Sequence, residues 1–495
     1  MPTAMLRLVR KPLPRGSGLP PTPRRNLTLR IGLFVTFPIT ASTRTYSVSL
    51  QNCPGWRPSV PCTATGHRMV TTTATKGSSI RLVALASLIG TTIEWYDFFL
   101  YGTAAALVFN RLFFPTFDAR VGTLAAFATY SVGFFARPFG AIIIGHYGDR
   151  IGRKSMLILT LILMGAATFS IGLMPTYRQI GPWAAVALVM LRLVQGFGVG
   201  GEWGGAVLMA VEHAPAGARG FYGSWVQIGV PAGLLLSTAV FAQFARLPEE
   251  QFLSWGWRVP FLVSILLVGV GLIIRVRILE TPTFARVKQA RTEARRPIVE
   301  VLQNHPKEVL LAMGARIAEN GAFYIYTVFV LVYGTQKVGM DRQTVLHGVL
   351  IAAACALFAI PLCGALSDRL GRRPVYLFGA CVTALYAYPL FRLLDTGSTP
   401  LVWLALVVAL VFAHSPMYGP QAAFLSELFN TRVRYTGASL GSQLSSVIAG
   451  GLSPFIATAL LPYGRVALAA YIVVMALVTI VAVLIASETS HQTIE

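Results

Sequence analysis

Two stretches decide the fold. The first is Gly145-His146-Tyr147-Gly148-Asp149-Arg150-Ile151-Gly152-Arg153-Lys154. The second, roughly two hundred residues later, is Gly364-Ala365-Leu366-Ser367-Asp368-Arg369-Leu370-Gly371-Arg372-Arg373. Both read G-x-x-x-D-R-x-G-R-[KR], and each lies between two long apolar segments. One copy could serve as a static, positively charged loop that only sets topology. Two copies at matching places in two hydrophobic halves point to a duplicated membrane protein. The glycines permit close helix approach and a tight turn. The aspartate can pair with arginine or cap a helix at its positive end. The arginines can lock onto carboxylates or helix C-termini nearby. Such contacts break and re-form readily at a wet interface, which suits a gate.

Composition agrees. The 495 residues are 55% hydrophobic and 12% charged, about half the charged fraction of a soluble protein. Mean hydropathy is +0.63. The formal net charge of +22 does not indicate nucleic acid, because the basic residues lie in short connections between apolar runs, as in loops facing anionic lipid. Cys53, Cys62, Cys355, Cys363 and Cys381 show no metal spacing, so neither a disulfide framework nor a metal site is expected.

A spanning helix needs about 20 mostly apolar residues. Twelve stretches qualify: 82–108, 121–145, 155–174, 183–211, 221–244 and 260–274, then 309–333, 345–366, 375–391, 401–425, 436–461 and 466–486. None alternates with period two, so helices rather than barrel strands are expected. The expected fold class is an all-α membrane protein with twelve transmembrane helices in two six-helix bundles. The expected divisions are a disordered basic leader over 1–75, a first bundle over 76–279, a linker over 280–306, a second bundle over 307–487 and a tail over 488–495. Residues 1–80 contain no Asp or Glu. The start at Met69 is an alternative account of the leader. Lys and Arg concentrate in alternate connections: Lys76 and Arg81, Arg150, Arg153 and Lys154, Arg219, Arg275 to Lys307, Arg369, Arg372 and Arg373, and Arg432 and Arg434. That bias places both termini and both repeated stretches in the cytoplasm.

Ionisable residues inside a span are costly and are functional candidates by default. The first half carries Glu94 and Asp97, three apart on one helix face, with Arg137, Arg192 and Glu202. The second half carries Arg316, Glu319 and Asn320, followed by Tyr324 and Tyr326, with His414 and Gln443 further on. A buried carboxylate could take a proton, and its pairing with Arg137 or Arg192 could change with access. Arginine keeps its proton, so it would serve as counter-ion or substrate anchor. The alternative is a structural ion-pair network. His414 reads as a hydrogen-bonded packing group. The Gly196, Gly200, Gly204 and Gly229, Gly233 series read as helix-packing stripes.

Further strings narrow the reading: Ile93-Glu94-Trp95-Tyr96-Asp97-Phe98, Phe135-Ala136-Arg137-Pro138-Phe139-Gly140, Arg192-Leu193-Val194-Gln195-Gly196 running on to Glu202, Trp255-Gly256-Trp257-Arg258-Val259-Pro260-Phe261 and Glu280-Thr281-Pro282. With the paired motif and six plus six spans, the chain resembles the major facilitator superfamily over about residues 76–490, and within it the metabolite:proton symporter family. The resemblance implies uptake of organic acids such as 2-oxoglutarate, citrate and shikimate, or of osmolytes such as proline and betaine. The fifth span reads Gly229-Val230-Pro231-Ala232-Gly233 and lacks a clear drug-antiporter motif, which disfavours export. No phosphate-loop motif or nucleophile elbow is present, so ATP-driven transport and enzyme activity are disfavoured. The expected protein is a monomeric, multi-pass transporter of a bacterial cytoplasmic membrane, with a small metabolite and a proton as its partners and no cofactor. A compatible-solute importer, a uniporter and a non-transporting receptor are the alternatives. Glu94, Asp97, Arg137, Arg192, Glu202, Arg316, Glu319 and Asn320 form the expected pathway. Gly145, Asp149, Arg150, Gly152 and Arg153, with Asp368, Arg369, Gly371 and Arg372, form the expected cytoplasmic gate.

Asp149→Asn is expected to slow the conformational cycle, read as lost substrate exchange in proteoliposomes, while substrate binding to the purified protein survives. Lost binding with intact exchange would put the gate elsewhere.

Overall fold

Where the computed structural model describes them, the apolar stretches named above lie almost wholly on helix. The structure describes residues 80–151, 153–200, 203–212, 214–215, 217–277, 297–430 and 433–490. The expected leader, Gly201, Glu202 and most of the expected linker therefore lie outside the described residues. The principal helices are α1 (Ile80–Leu107), α2 (Ala119–Ile151), α3 (Arg153–Leu173), α4 (Trp183–Val199), α5 (Trp203–Glu212), α6 (Arg219–Phe244) and α7 (Val259–Arg277). They continue with the short α8 (Pro297–Asn304), then α9 (Pro306–Tyr324), α10 (Arg342–Leu370), α11 (Arg372–Leu394), α12 (Thr399–Val408), α13 (Ser415–Glu427), α14 (Arg434–Ser445), α15 (Ser453–Leu460) and α16 (Gly464–Ile485). Among the described residues, eight helical stretches are long and apolar enough to cross a membrane, and two shorter apolar helices accompany them. The protein is an all-α, multi-pass membrane protein. A helix satisfies its own backbone polar groups, which lipid cannot do.

Packing repeats between the halves. In the first, α1 lies on α6, α2 on α4 and α3 on α7. In the second, α9 lies on α14, α10 on α12 and α13, and α11 on α16. The halves meet chiefly where α6 runs along α10 and α13, and next where α2 meets the segment after α14. The glycine stripes make the close approaches possible. A Cβ on Gly229 would come 2.6 Å from the Thr91 Cβ, and one on Gly233 2.7 Å from the Thr92 carbonyl oxygen, so α6 and α1 pack nearly backbone to backbone. At the α6–α10 crossing, a Cβ on Gly364 would lie 2.6 Å from the Gly220 carbonyl oxygen.

The repeated stretch is mostly helix, not loop. In the second copy α10 runs to Leu370 and α11 starts at Arg372, so the reversal rests on Gly371 alone, at φ +101°. That conformation disfavours any residue with a Cβ. In the first copy the backbone is helical to Ile151 and again from Arg153. Gly152 and the side chains of residues 145–155 lie outside the described set.

Among the described residues, four π-helical turns interrupt the second half: Ile325–Phe329, Tyr333–Lys337, Ala409–His414 and Ser446–Gly451. Such turns frequently mark functional sites, and here two of them deliver His414 and Ser446 to the buried polar cluster described below.

Gly371→Ala is expected to lower stability by about 1–2 kcal/mol through backbone strain. A Cβ there would also come 2.9 Å from the Glu488 Oε2. Thermal unfolding in detergent, with Gly217→Ala as control at an open position, checks this; equal midpoints for both variants would contradict it.

Candidate substrate and proton site

Two of the first-half candidates, Arg137 and Arg192, converge on one aromatic ring. The Arg137 guanidinium carbon lies 4.3 Å from the centre of the Phe98 ring, and that of Arg192 lies 4.2 Å from it. Phe134 also faces Arg137 at 4.4 Å, while Tyr101 and Tyr130 face Arg192 at 4.3 and 4.7 Å. Cation–π contact offsets part of the desolvation of a buried guanidinium. The hydrogen bonding is incomplete. Nε and Nη2 of Arg137, Nη2 of Arg192 and Oδ1 of Asp97 are buried with no partner among the described residues. The three side chains are at most 3% exposed. Unsatisfied buried charged groups of this kind are costly, and they call for an explanation such as a ligand or a transferred proton. Gly133 admits Arg192, since a Cβ there would sit 2.6 Å from its Nε.

No ion pair joins Asp97 to an arginine among the described residues. Arg192 Nη1 donates to Gln195 Oε1 at 3.0 Å, Gln195 Nε2 donates to Thr168 Oγ1 at 2.7 Å, and Thr168 Oγ1 donates to the Met164 carbonyl at 3.0 Å. Glu94 is buried on the same face of α1.

The second-half candidates form a separate, better satisfied cluster. Glu319 accepts from Gln421 Nε2 at 2.7 Å, lies 3.3 Å from His414 Nε2, and pairs with Arg316 Nε at 3.4 Å. Arg316 also donates to Ser442, and Asn320 Nδ2 donates to Ser446 Oγ at 3.0 Å. His414 is thus hydrogen-bonded, as expected, and its partner is a candidate carboxylate. Tyr324 bridges the clusters. Its ring centre is 5.4 Å from that of Phe134, 6.1 Å from that of Tyr130 and 6.2 Å from that of Phe98. Gln227 of α6 adds a polar bridge, its Nε2 donating to Gln421 Oε1 at 3.3 Å.

At the motif end, α10 grips the start of α6. Asp368 accepts from the main-chain N–H groups of Gly220 and Phe221 at 2.8 and 2.9 Å, and from Arg372 Nη1 at 2.7 Å. The aspartate therefore caps a helix of the other half, where the helix dipole favours negative charge. Arg372, 1% exposed, holds Glu427 with two bonds of 3.2 Å. Thr489 donates to Glu427 Oε2 at 2.7 Å. Glu488 caps α11, accepting from the Arg372 and Arg373 N–H groups at 2.8 and 3.0 Å. Partial burial pushes the Glu488 pKa up, but the N–H groups of Arg372, Arg373 and Ser490 outweigh it and hold the pKa below the ordinary carboxylate value. A lowered carboxylate pKa stabilises the fold above the ordinary value, and that stabilisation is lost as pH falls through the lowered one. Arg369 is exposed and takes no part in these bonds.

At the opposite end the same two helices are tied again. Arg342 Nε and Nη2 donate to the carbonyls of Ala245 and Leu247 at 3.0 and 3.3 Å, and Gln343 Nε2 donates to that of Ala242 at 3.0 Å. A cation here meets the negative end of α6.

The model of the Major Facilitator Superfamily matches residues 87–454, with a further match over 351–494. The chain belongs to the Major Facilitator Superfamily. Its relatives include the shikimate transporter of Escherichia coli, 45% identical over 389 residues, or 78% of this chain and 89% of that protein. The proline/betaine transporter of Salmonella typhimurium is 34% identical over 428 residues, covering 83% and 84% of the two chains. Among solved structures, the D-xylose–proton symporter matches with a TM-score of 0.64 at 20% identity, covering 84% of this chain and all of that one. This facilitator is a metabolite transporter by family.

Sequence reasoning named Asp368 and Arg372 but missed Glu427, Glu488 and the Arg342 clasp. Glu427 is a mid-chain acid at the end of an apolar span, a signal that could have been used. Arg342 looked like an ordinary loop residue, and nothing local marks its partner 97 residues away.

Arg342→Ala should loosen the clasp at that end of the protein. A cysteine placed at Thr335, which lines the adjoining surface pocket, should then react with maleimide about fivefold faster in a background without native cysteines, as expected for about 1 kcal/mol of lost interaction. Unchanged labelling would remove Arg342 from the gate.

Proposed function

We propose that the protein imports a small carboxylate by proton symport with alternating access. The observation that carries this reading is the pair of buried, incompletely bonded guanidinium groups, Arg137 and Arg192, over the Phe98 ring, with the buried Asp97 next to Phe98 in α1. Two fixed cations with spare N–H donors make a receptor for a carboxylate, which arginine binds through paired N–H donors. Asp97 is a buried, protonatable carboxyl in the same half. The shikimate transporter among the relatives moves a molecule of the proposed class.

In this reading residues 76–279 and 307–487 are two six-helix bundles joined by 280–306, twelve spans in all, with both termini in the cytoplasm. The motif-end clasp, Asp368 on α6 with Arg372 on Glu427, is the cytoplasmic gate, to which Asp149, Arg150 and Arg153 contribute from the first bundle. Arg342 and Gln343 form the outer gate. With both clasps made, the conformation is occluded. Proton and substrate load from outside after the outer clasp opens, and leave when the inner one does. Glu319 with Arg316, Asn320 and His414 supplies the second bundle's half of the midplane site.

Import of an osmolyte such as betaine or proline is a second reading. It is favoured by the aromatic ring cluster around Phe98, since such clusters suit ammonium groups. The two arginines already occupying those faces would repel a further cation, so the carboxylate end of any zwitterion must dominate.

Purified protein in proteoliposomes should accumulate radiolabelled shikimate only with an inward proton gradient, with 2-oxoglutarate, citrate, betaine and proline as competitors. Flux without accumulation would mean a uniporter, and absence of flux for every compound a receptor. Asp97→Asn should fold and exchange substrate while losing gradient-driven accumulation; normal accumulation would exclude Asp97 from coupling.

A further inference from the structure

At the end of the fold opposite the repeated motif, an open pocket of about 550 Å³ lies between the two halves. Arg111, Arg246 and Arg342 line it, and its acids are Glu249 and Asp341. Both acids are already engaged. Glu249 pairs with Arg111, and Asp341 Oδ2 accepts the Gln343 N–H at 2.8 Å at the start of α10. Arg246 is exposed, and its guanidinium has no partner among the described residues. The Arg342 guanidinium carbon lies 4.5 Å from the centre of the Phe252 ring. Its Nε and Nη2 hold the Ala245 and Leu247 carbonyls at 3.0 and 3.3 Å, and its Nη1 makes no bond among the described residues. A guanidinium has five N–H donors, so part of this fork is idle. Two arginines with spare donors thus line a pocket whose acids are neutralised.

We propose that this pocket is an outer docking site for the substrate carboxylate, and that the docked anion opens the outer clasp by drawing Arg342 off the α6 carbonyls. This rests on the reading above, which makes this end the outer one and a carboxylate the cargo. The anion meets Arg246 and the idle Nη1 of Arg342 first. A full negative charge attracts a guanidinium more strongly than a carbonyl dipole does, and a carboxylate matches its fork with two parallel bonds. As Arg342 turns to the anion, the Ala245 and Leu247 carbonyls pass to water in the open pocket, at modest net cost. The clasp also holds an unsatisfied group, since Gln343 Oε1 is buried with no partner among the described residues; opening hydrates it. The cargo therefore unlocks its own entrance, and without it Arg342 keeps this end shut.

The helix ends agree in sign. Arg342 and Gln343 are the first residues of α10, a helix of 29 residues, and its N-terminus adds positive potential beside the two arginines. The carbonyls at the end of α6 carry the opposite sign and are covered only while the clasp is made. Once uncovered they weaken the hold on the anion, so it moves on rather than staying at the mouth. Glu249 tunes the site, because it occupies a third arginine, Arg111.

Two measurements test the docking site. In a background without native cysteines, Ala242→Cys puts a thiol behind the clasp, at a residue 2% exposed whose carbonyl receives Gln343. Shikimate should speed its reaction with maleimide about threefold, and sodium chloride at equal ionic strength should not. Arg246→Gln should cut the acceleration below about 1.5-fold, and Arg246→Lys should keep part of it. Arg178→Gln, at an exposed arginine outside the pocket, should leave it whole. The second measurement is initial uptake of shikimate into proteoliposomes. Its half-saturating concentration should rise about threefold in Arg246→Gln and fall about threefold in Glu249→Gln, which releases Arg111. That gain cannot come from damage to the fold. Acceleration that persists in Arg246→Gln, that chloride reproduces, or that neither shikimate, 2-oxoglutarate nor citrate produces overturns the docking site. So do equal half-saturating concentrations in the two variants. Acceleration by 2-oxoglutarate or citrate but not by shikimate upholds the site and changes only the cargo.

Discussion

The α6 helix is tied at both ends by the same neighbour. Its first N–H groups are capped by Asp368, and carbonyls at and just past its last turn are bound by Gln343 and Arg342. Helix termini carry main-chain groups with no intrahelical partner, and these must be satisfied by side chains or by water. Here α10, from the other half of the chain, satisfies both sets. The charges suit the dipole at each end, an aspartate at the positive end and an arginine at the negative one. The backbone crossing at Gly220 and Gly364 draws the two helices together at the motif end. Opening either end exposes polar backbone to water, which accepts the lost hydrogen bonds at modest net cost. Opening both would separate the two helices. A contact that can yield at one end while holding at the other is a physical basis for alternating access.

Between the clasps the arrangement differs in the two halves. Around Glu319 the charges are neutralised and the hydrogen bonds largely made. Around Phe98 two guanidinium groups share an aromatic ring and retain idle donors. A buried, partly satisfied network is costly to keep, and the first half accordingly carries the stronger functional signal. Tyr324 and the π-turns of the second half bring the two clusters against one another.

Much of this was legible in the chain. Helical spans, the duplication and the candidate charges follow from apolar length, motif recurrence and the cost of ionisable groups in lipid. The motif residues Asp368 and Arg372 stand where their chemistry suggested, at a helix cap and on a carboxylate. Local pattern did not reveal that the capped helix is α6 rather than the next one, that Glu427 and Glu488 complete the grip, or that Arg342 repeats it at the far end. Those partners are 55 to 148 residues distant, and no periodicity reports a contact between elements so far apart. The motif's expected loop proved to be two helices hinged on one glycine, because a left-handed residue at Gly371 suffices to reverse the chain.

Hydrophobicity and its interruptions are properties of residues in order, so the sequence by itself determined that this is a duplicated helical membrane protein with buried charges and two matched D-R-x-G-R motifs. Which charges meet is a property of packing. Only the tertiary structure decided that Arg192 holds Gln195, and Gln195 holds Thr168. It alone placed both arginines on the faces of Phe98 and bound one helix of the first half at both ends to one helix of the second. Helix crossing and rotation set those pairings, and glycine contacts and π-turns that carry no long-range signature in the chain set the crossing.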